Sequence, residues 1–242
     1  MRIGIFSDVH GNLEALKVVL KALEKEKVDR SYCVGDLVGY GPNPNQCVKK
    51  VMQFSDGVVA GNHDRAATGL TPTTNFNEYA RMAIKWTRKV LNENAMNILN
   101  RLPVVLREGK ITLVHATPDE PEAWHYIFTY TDAHRSFGAL KTPLCFVGHS
   151  HAPVAFVRNE EGEIFTQDPT EIKLEEGKMY IINMGSVGQP RDGDPRACYG
   201  VLDTDESRFR LKRLAYSVEV VQEKMWKENL PSYLIDRLSA GQ

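Results

Sequence analysis

The sequence predicts an α/β protein in which two packed sheets are covered by helices. Three observations carry this reading. The first 64 residues alternate short apolar runs with amphipathic stretches in a β-α-β-α-β order, the pattern of a mostly parallel sheet with helices packed on it. The second half is rich in strand-like runs joined by turn residues. No linker or shift in composition divides the 242 residues, so the chain is expected to form one large domain.

The elements follow in order. Ile3–Phe6 is a short apolar run that stops at Ser7-Asp8. Asn12 is a good helix N-cap, and Leu13, Leu16, Leu20 and Leu23 lie on one helical face behind it. Ser31–Val34 is a second strand, ending at Gly35-Asp36. A Gly- and Pro-rich loop leads to a helix over Gln46–Phe54. Gly57–Ala60 is a third apolar run, ending at Gly61-Asn62-His63-Asp64. Phe76, Tyr79, Ala80, Ala83, Ile84, Thr87, Val90 and Leu91 follow a 3.6-residue period, and Ile98 and Leu99 extend a second helix. Residues 75–102 are therefore expected to be a helical hairpin inserted in the domain, either a plain structural addition or a lid. Val104–Arg107 and Ile111–Val114 flank a tight turn at Glu108-Gly109-Lys110. Leu144–Val147 ends at Gly148-His149. Ala152–Val157 and Glu163–Gln167 form a hairpin around Asn159–Gly162. Met179–Asn183, Cys198–Leu202 and Phe209–Leu214 are further strands. A helix over Val218–Lys227 and a last turn over Pro231–Leu238 close the chain.

Composition narrows the function. Hydrophobic residues make up 42% of the chain, charged residues 25%, and the formal net charge is −1. That balance lacks the basic footprint of a polymeric nucleic-acid binder. No apolar run approaches the ~18 residues of a membrane span, and the N-terminal run is interrupted by Asp8 too soon for a signal peptide. Cys33, Cys47, Cys145 and Cys198 form no CxxC pair and read as reduced thiols of a cytoplasmic protein.

The chemistry lies in where the polar residues fall. Ile3–Phe6 is followed by Asp8 and His10, Val34 by Asp36, Val58–Ala60 by Asn62 and His63. Ile111–Val114 is followed by His115, and Leu144–Val147 by His149 and His151. Sites in α/β sheets form beyond the carboxyl ends of strands, and five of the seven histidines fall at such ends. Oxygen and imidazole donors without thiolates suit Mn, Fe, Zn, Ni or Co better than a structural zinc. Seven donors exceed one tetrahedral ion but suit two ions sharing a bridge. Two divalent ions against two carboxylates leave an excess positive charge that attracts phosphate and acidifies a bridging water.

In this order and context, Asp8-Val9-His10, Gly35-Asp36, Gly61-Asn62-His63-Asp64, His115 and Gly148-His149-Ser150-His151 resemble the DxH, GD, GNHD, H and GHxH blocks of the calcineurin-like metallophosphoesterase family. Gly185-Ser186-Val187-Gly188-Gln189-Pro190-Arg191 is similar to a loop of its small bacterial and archaeal phosphodiesterase branch. The resemblance implies a four-layer α/β/β/α sandwich of two mixed sheets. It implies that Asp8, His10, Asp36 and His151 hold one metal and Asp36, Asn62, His115 and His149 a second, with Asp36 bridging and manganese favoured. His63 would stabilise or protonate the leaving oxygen, and Asp64 would orient His63 through a hydrogen bond. The implied activity is hydrolysis of small phosphodiesters or nucleotides. Phosphomonoesterase, protein phosphatase, diadenosine tetraphosphatase-like hydrolase and non-catalytic scaffold are the alternatives.

The sequence departs from the phosphatase and diadenosine tetraphosphatase branches at Tyr40, which stands about where their loop carries an arginine. Arg191, then Arg65 and Arg196, are the candidates for the phosphate contact, and Tyr40 either stacks on a base or closes a turn. His125 and His134 read as ordinary surface residues, and Trp124-His125-Tyr126 either as part of that surface or as a lining of the pocket.

Overall fold

A computed structural model describes residues 1–242. Its elements are β1 (Arg2–Phe6), α1 (Leu13–Glu26), β2 (Arg30–Cys33), α2 (Pro44–Phe54), β3 (Gly57–Val58), α3 (Asn62–Thr68), α4 (Glu78–Val90), α5 (Glu93–Arg101), β4 (Val105–Glu108), β5 (Ile111–Val114), α6 (Tyr130–Ala139), β6 (Leu144–Val147), β7 (Val154–Arg158), β8 (Ile164–Gln167), β9 (Glu171–Lys173), β10 (Met179–Asn183), β11 (Ala197–Asp203), β12 (Arg208–Leu214), α7 (Val218–Lys227) and α8 (Ser232–Ala240).

The strands form two six-stranded mixed sheets, ordered β3-β2-β1-β11-β12-β9 and β4-β5-β6-β10-β7-β8. β1, β2 and β3 run parallel, as do β5, β6 and β10, while β11 and β7 join antiparallel. Side-chain alternation along each strand builds the layers. Ile3 and Ile5 of β1 face Leu144 and Phe146 of β6 in a core between the sheets. Phe6 turns the other way, under α1 and α2 with Leu16, Val19, Leu23 and Val51. Cys145 and Val147 of β6 turn outward onto Ala133 and Phe137 of α6. The result is the expected α/β/β/α order of layers.

Local chemistry accounts for the helices. The Asn12 side chain accepts from the Ala15 amide at the start of α1, and the Asn77 and Asn92 side chains cap α4 and α5 in the same way. The leucines at 13, 16, 20 and 23 are all buried. α4 and α5 fill the segment expected to be a helical hairpin, but they pack on α2 and α3 rather than against each other. The segment before α4 brings the Phe76 ring to 4.8 Å from the His63 ring.

Three elements lie outside the sequence reading. α3 begins inside the Gly61–Asp64 block, α6 fills a stretch read as loop, and β9 adds an edge strand. α6 is nucleated by a reciprocal cap between Thr129 and Asp132, yet it buries only Ala133, Ser136 and Phe137, too few for a visible period. β9 buries a single residue, Ile172. The last turn extends to a full helix, α8.

Candidate active site

The ends of the parallel strands from both sheets meet at one place. Asp8 and His10 follow β1, Asp36 follows β2, Asn62 and His63 open α3, His115 follows β5, and His149 and His151 follow β6. Backbone bonds zip these loops together. The Asp8 amide donates to the Gly35 carbonyl at 3.0 Å and the His10 amide to the Asp36 carbonyl at 2.9 Å. The His63 amide donates to Asp36 Oδ1 at 2.8 Å, and the His149 amide to Asp8 Oδ2 at 3.2 Å. From the Gly185–Arg191 loop, Ser186 Oγ and the Gly188 amide donate to the Asp8 carbonyl at 2.8 and 2.9 Å. Gly61 and Gly148 are required by close approach: a methyl at either would overlap the Asp36 or Asp8 carboxylate.

All seven expected ligands are buried in this cluster. One donor atom each from Asp8, His10, Asp36 and His151 lies within 4.8 Å of the others. His115 Nε2 is 3.3 Å from Asp36 Oδ2, and the His115 and His149 rings are 5.1 Å apart. Four imidazoles each spend one ring nitrogen on a backbone carbonyl: His10 Nδ1 on Val38 (3.1 Å), His115 Nδ1 on Val34 (2.8 Å), His151 Nδ1 on Gln189 (2.6 Å) and His149 Nε2 on Trp124 (2.9 Å). An N–H donating to a carbonyl fixes which nitrogen keeps its proton, so that a neutral ring has its lone pair on the opposite nitrogen, the arrangement of metal-binding histidines.

A cation fits what remains. Asp8 Oδ1, Asn62 Oδ1 and His115 Nε2 are buried without a hydrogen-bond partner. His10 Nε2 and His151 Nε2 face each other at 3.0 Å. With both Nδ1 atoms donating, that contact sets two lone pairs against each other unless a proton or cation lies between them. Buried polar atoms left this way are costly, and a divalent ion would satisfy them.

The electrostatics agree. Burial works against ionisation of Asp8, but His151 and His115 hold its carboxyl well below the usual range. Burial and the neighbouring His115 push His149 down to about 4, and burial with Arg191 pushes His151 down to about 3. Both are neutral at pH 7. Burial alone would lower His115, but Asp36 and Asp8 outweigh it and raise it to about 10. His63 is lowered well below its ordinary value, first by burial and then by His10 and Arg191 against Asp36.

Several residues sit differently from the sequence expectation. Asp64 does not reach the His63 ring. Its carboxylate accepts from the amides of Leu37 (2.9 Å), Val38 (3.2 Å) and Gly61 (3.0 Å), tying the loop after β2 to the start of α3. His63 Nδ1 has no partner. Tyr40 is buried with its ring 4.6 Å from His10 and 4.5 Å from His63, so it is unavailable as an open base-stacking face. Arg65 is paired with Glu122 at 3.0 Å, and Arg196 binds Asp194 in an exposed fork. Arg191 is at the site, donating to Tyr40 Oη at 3.2 Å. His125 and His134 are exposed, as expected.

The loop after β5 folds back onto His149. Besides the Trp124 carbonyl on His149, the Tyr126 ring stacks on the His149 ring at 4.1 Å and 15°. No spacing in the sequence foretells either contact, because both depend on a turn at Pro121–Ala123 and on Trp124 adopting a left-handed backbone, φ 58°. Arg237 of α8 is a further residue at the site that the sequence did not reveal.

Two mixed sheets with a buried Asp/His cluster at their shared carboxyl edge define a metal-dependent hydrolase site. Residues 1–207 match the Calcineurin-like phosphoesterase superfamily domain, and the chain belongs to that family. It is 40% identical to an uncharacterized protein of Methanocaldococcus jannaschii across 99% of this chain and 98% of that one. The crystal structure of a metallophosphoesterase from Sphaerobacter thermophilus superposes with a TM-score of 0.88 at 40% identity, covering 100% of this chain and 99% of the other. A symmetrical bis(5'-nucleosyl)-tetraphosphatase of Coxiella burnetii is 25% identical over 74% of this chain and 60% of its own length.

Proposed function

We propose that the chain is a dinuclear metal-dependent phosphoesterase acting on small phosphodiesters or nucleotides. The observation that carries this is the set of four imidazoles, each anchored by a carbonyl, of which His10, His115 and His151 bring the opposite nitrogen within 4.0 Å of the buried Asp8 or Asp36 carboxylate. Asp8, His10, Asp36 and His151 would hold one divalent ion, and Asp36, Asn62, His115 and His149 the other. Manganese is the metal favoured by the family resemblance, and the oxygen and imidazole donors would equally take iron, nickel, zinc or cobalt. The two ions would supply an activated water and polarise the phosphoryl oxygens.

The remaining roles belong to the protein. The burial of Asp8 and Asp36 keeps bulk water from competing for their oxygens, and the Gly185–Arg191 loop holds Asp8 in place. His63 Nδ1 is packed against Gly39, which leaves Nε2 to face a substrate. As a neutral imidazole at pH 7, His63 would donate a hydrogen bond from Nε2–H to the leaving oxygen and stabilise its developing charge. Asp64 serves His63 indirectly, by fixing the turn that starts α3. The Coxiella relative supports a nucleotide among the substrates.

The test is hydrolysis of bis-p-nitrophenyl phosphate and p-nitrophenyl phosphate by chelator-treated protein with Mn²⁺ restored. Metal-dependent turnover favouring the diester is expected. Turnover favouring the monoester would replace the diesterase reading with a phosphatase. Absence of turnover with Mn²⁺, Fe²⁺, Ni²⁺ or Zn²⁺, in protein shown to bind two ions, would make it a non-catalytic scaffold.

A further inference from the structure

Two guanidinium groups pack on the Tyr40 ring beside the candidate metal centre. The Arg191 guanidinium carbon is 5.6 Å from the ring centroid and that of Arg237 is 5.0 Å away. Arg237 is 9% exposed. Neither guanidinium has a carboxylate within 4.0 Å. The two share one neutral acceptor, Gln189 Oε1. Arg191 also donates to Tyr40 Oη.

The cluster is short of acceptors. Arg191 Nε, Arg237 Nε and Gln189 Nε2 are all buried with no hydrogen-bond partner. Two like charges side by side repel, and burial together with Arg191 lowers the pKa of Arg237. Natural interiors rarely leave buried donors or unpaired charges in such number. A tetrahedral oxyanion supplies what is missing: negative charge and several acceptor oxygens in the geometry that guanidinium forks bind. The Tyr40 ring that carries both arginines also touches His10 and His63, so the anion would lie next to the reacting groups.

We propose that Arg191, Arg237 and Gln189 form a binding site for a phosphoryl group of the substrate. The choice of phosphoryl over other oxyanions rests on the phosphoesterase reading; the existence of the site does not. Arg237 reaches the site from the C-terminal helix, so α8 contributes to substrate recognition as well as packing.

The test is calorimetric titration of the full chain, freed of divalent ions, with inorganic pyrophosphate and inorganic phosphate. The parent is expected to bind at least one of them, and Arg237→Met and Arg191→Met are each expected to weaken binding at least tenfold. Arg196→Met, which removes an arginine already paired with Asp194, is expected to bind like the parent. Preference for pyrophosphate assigns the pair to a phosphoryl group beyond the scissile one, and equal affinity assigns it to the scissile group. No binding by the parent, or parental affinity in folded Arg237→Met or Arg191→Met, overturns the proposal. If Arg237→Met melts below the assay temperature, the half-buried Arg191→Met carries the test. Metal-dependent hydrolysis of bis-p-nitrophenyl phosphate is measured on the same preparations. Hydrolysis without anion binding defeats only the subsite, and anion binding without hydrolysis defeats only the phosphoesterase reading.

Discussion

Gly61→Ala puts the smallest possible perturbation at the centre of the site. Gly61 has φ −98° and ψ 172°, which alanine adopts without backbone strain. The cost is therefore purely steric. The added methyl carbon would sit 2.6 Å from the Asp36 carboxyl carbon and closer still to its Oδ1 and amide nitrogen. Asp36 must move, and with it the 2.8 Å bond from the His63 amide to Oδ1. Overpacking costs about 1–3 kcal/mol and a hydrogen bond to a charged group about 1.5–3 kcal/mol. Partial relaxation brings the sum to about 3 kcal/mol. In a chain of this size each kcal/mol shifts the melting temperature by roughly 2–4 °C, giving a drop of about 6–12 °C in chelator. Because Asp36 is the proposed bridge, affinity for both ions should fall together, by at least tenfold. Thermal melts in chelator and elemental analysis after metal loading read the two effects separately. A variant that melts within 2 °C of the parent (well below the ~6 °C expected) and holds two ions would refute the placement of Asp36 against Gly61.

Three further outcomes follow from the same geometry. Asp36→Asn should impair occupancy of both metal positions; loss of a single ion by elemental analysis would count against the bridge. His63→Ala should leave metal content unchanged and lower turnover at least ~10²-fold, the scale of one acid–base group; undiminished turnover would remove His63 from the chemistry. Metal binding at pH 7 should release about one proton per chain. His115, raised to about 10, must give up its Nε2 proton to become a ligand, while His149 and His151, lowered to about 4 and about 3, are already neutral. Affinity should then rise about tenfold per pH unit from pH 6 to 9, as linkage to one proton requires. Calorimetry in buffers of different ionisation heat counts the proton, and a count near zero would contradict the charged state of His115.

The positions of the candidate ligands were legible because they follow strands, and strands announce themselves by short apolar runs. The leucine face of α1 and the helical period over 76–91 were legible for the same reason: the burial pattern is local. What depends on distant partners was not. β1 lies between β2 and β11, so Ile5 pairs with Tyr32 on one side and with Gly200 on the other, and no local signal records the second pairing. Asp64 shows the limit for the site. The family resemblance implies a bond from Asp64 to the His63 ring, but at the start of α3 a carboxylate is better used on free amides. Arg237 was hidden because an arginine late in an amphipathic helix reads as ordinary surface charge.

The backbone of the site carries a further signature that residue identities conceal. Asp8, His10, Asp36, His149 and His151 all have positive φ, between 48° and 68°, and so does Tyr40. A side chain in the left-handed region costs roughly 1–2 kcal/mol relative to the ordinary helical one, and glycine would relieve most of that strain. Five such residues together represent a cost comparable with the ~5–15 kcal/mol net stability of a typical domain. The surrounding structure must hold them there, and it does. The amides of Asp8, His10 and His149 are each bonded to a neighbouring loop, and Asp8 and His10 are gripped from both β2 and the Gly185–Arg191 loop or the turn at Gly41. Strain that concentrates on one cluster and is enforced from several sides is a mark of function rather than of packing. The left-handed turns point the two aspartates and their imidazoles into the same small volume.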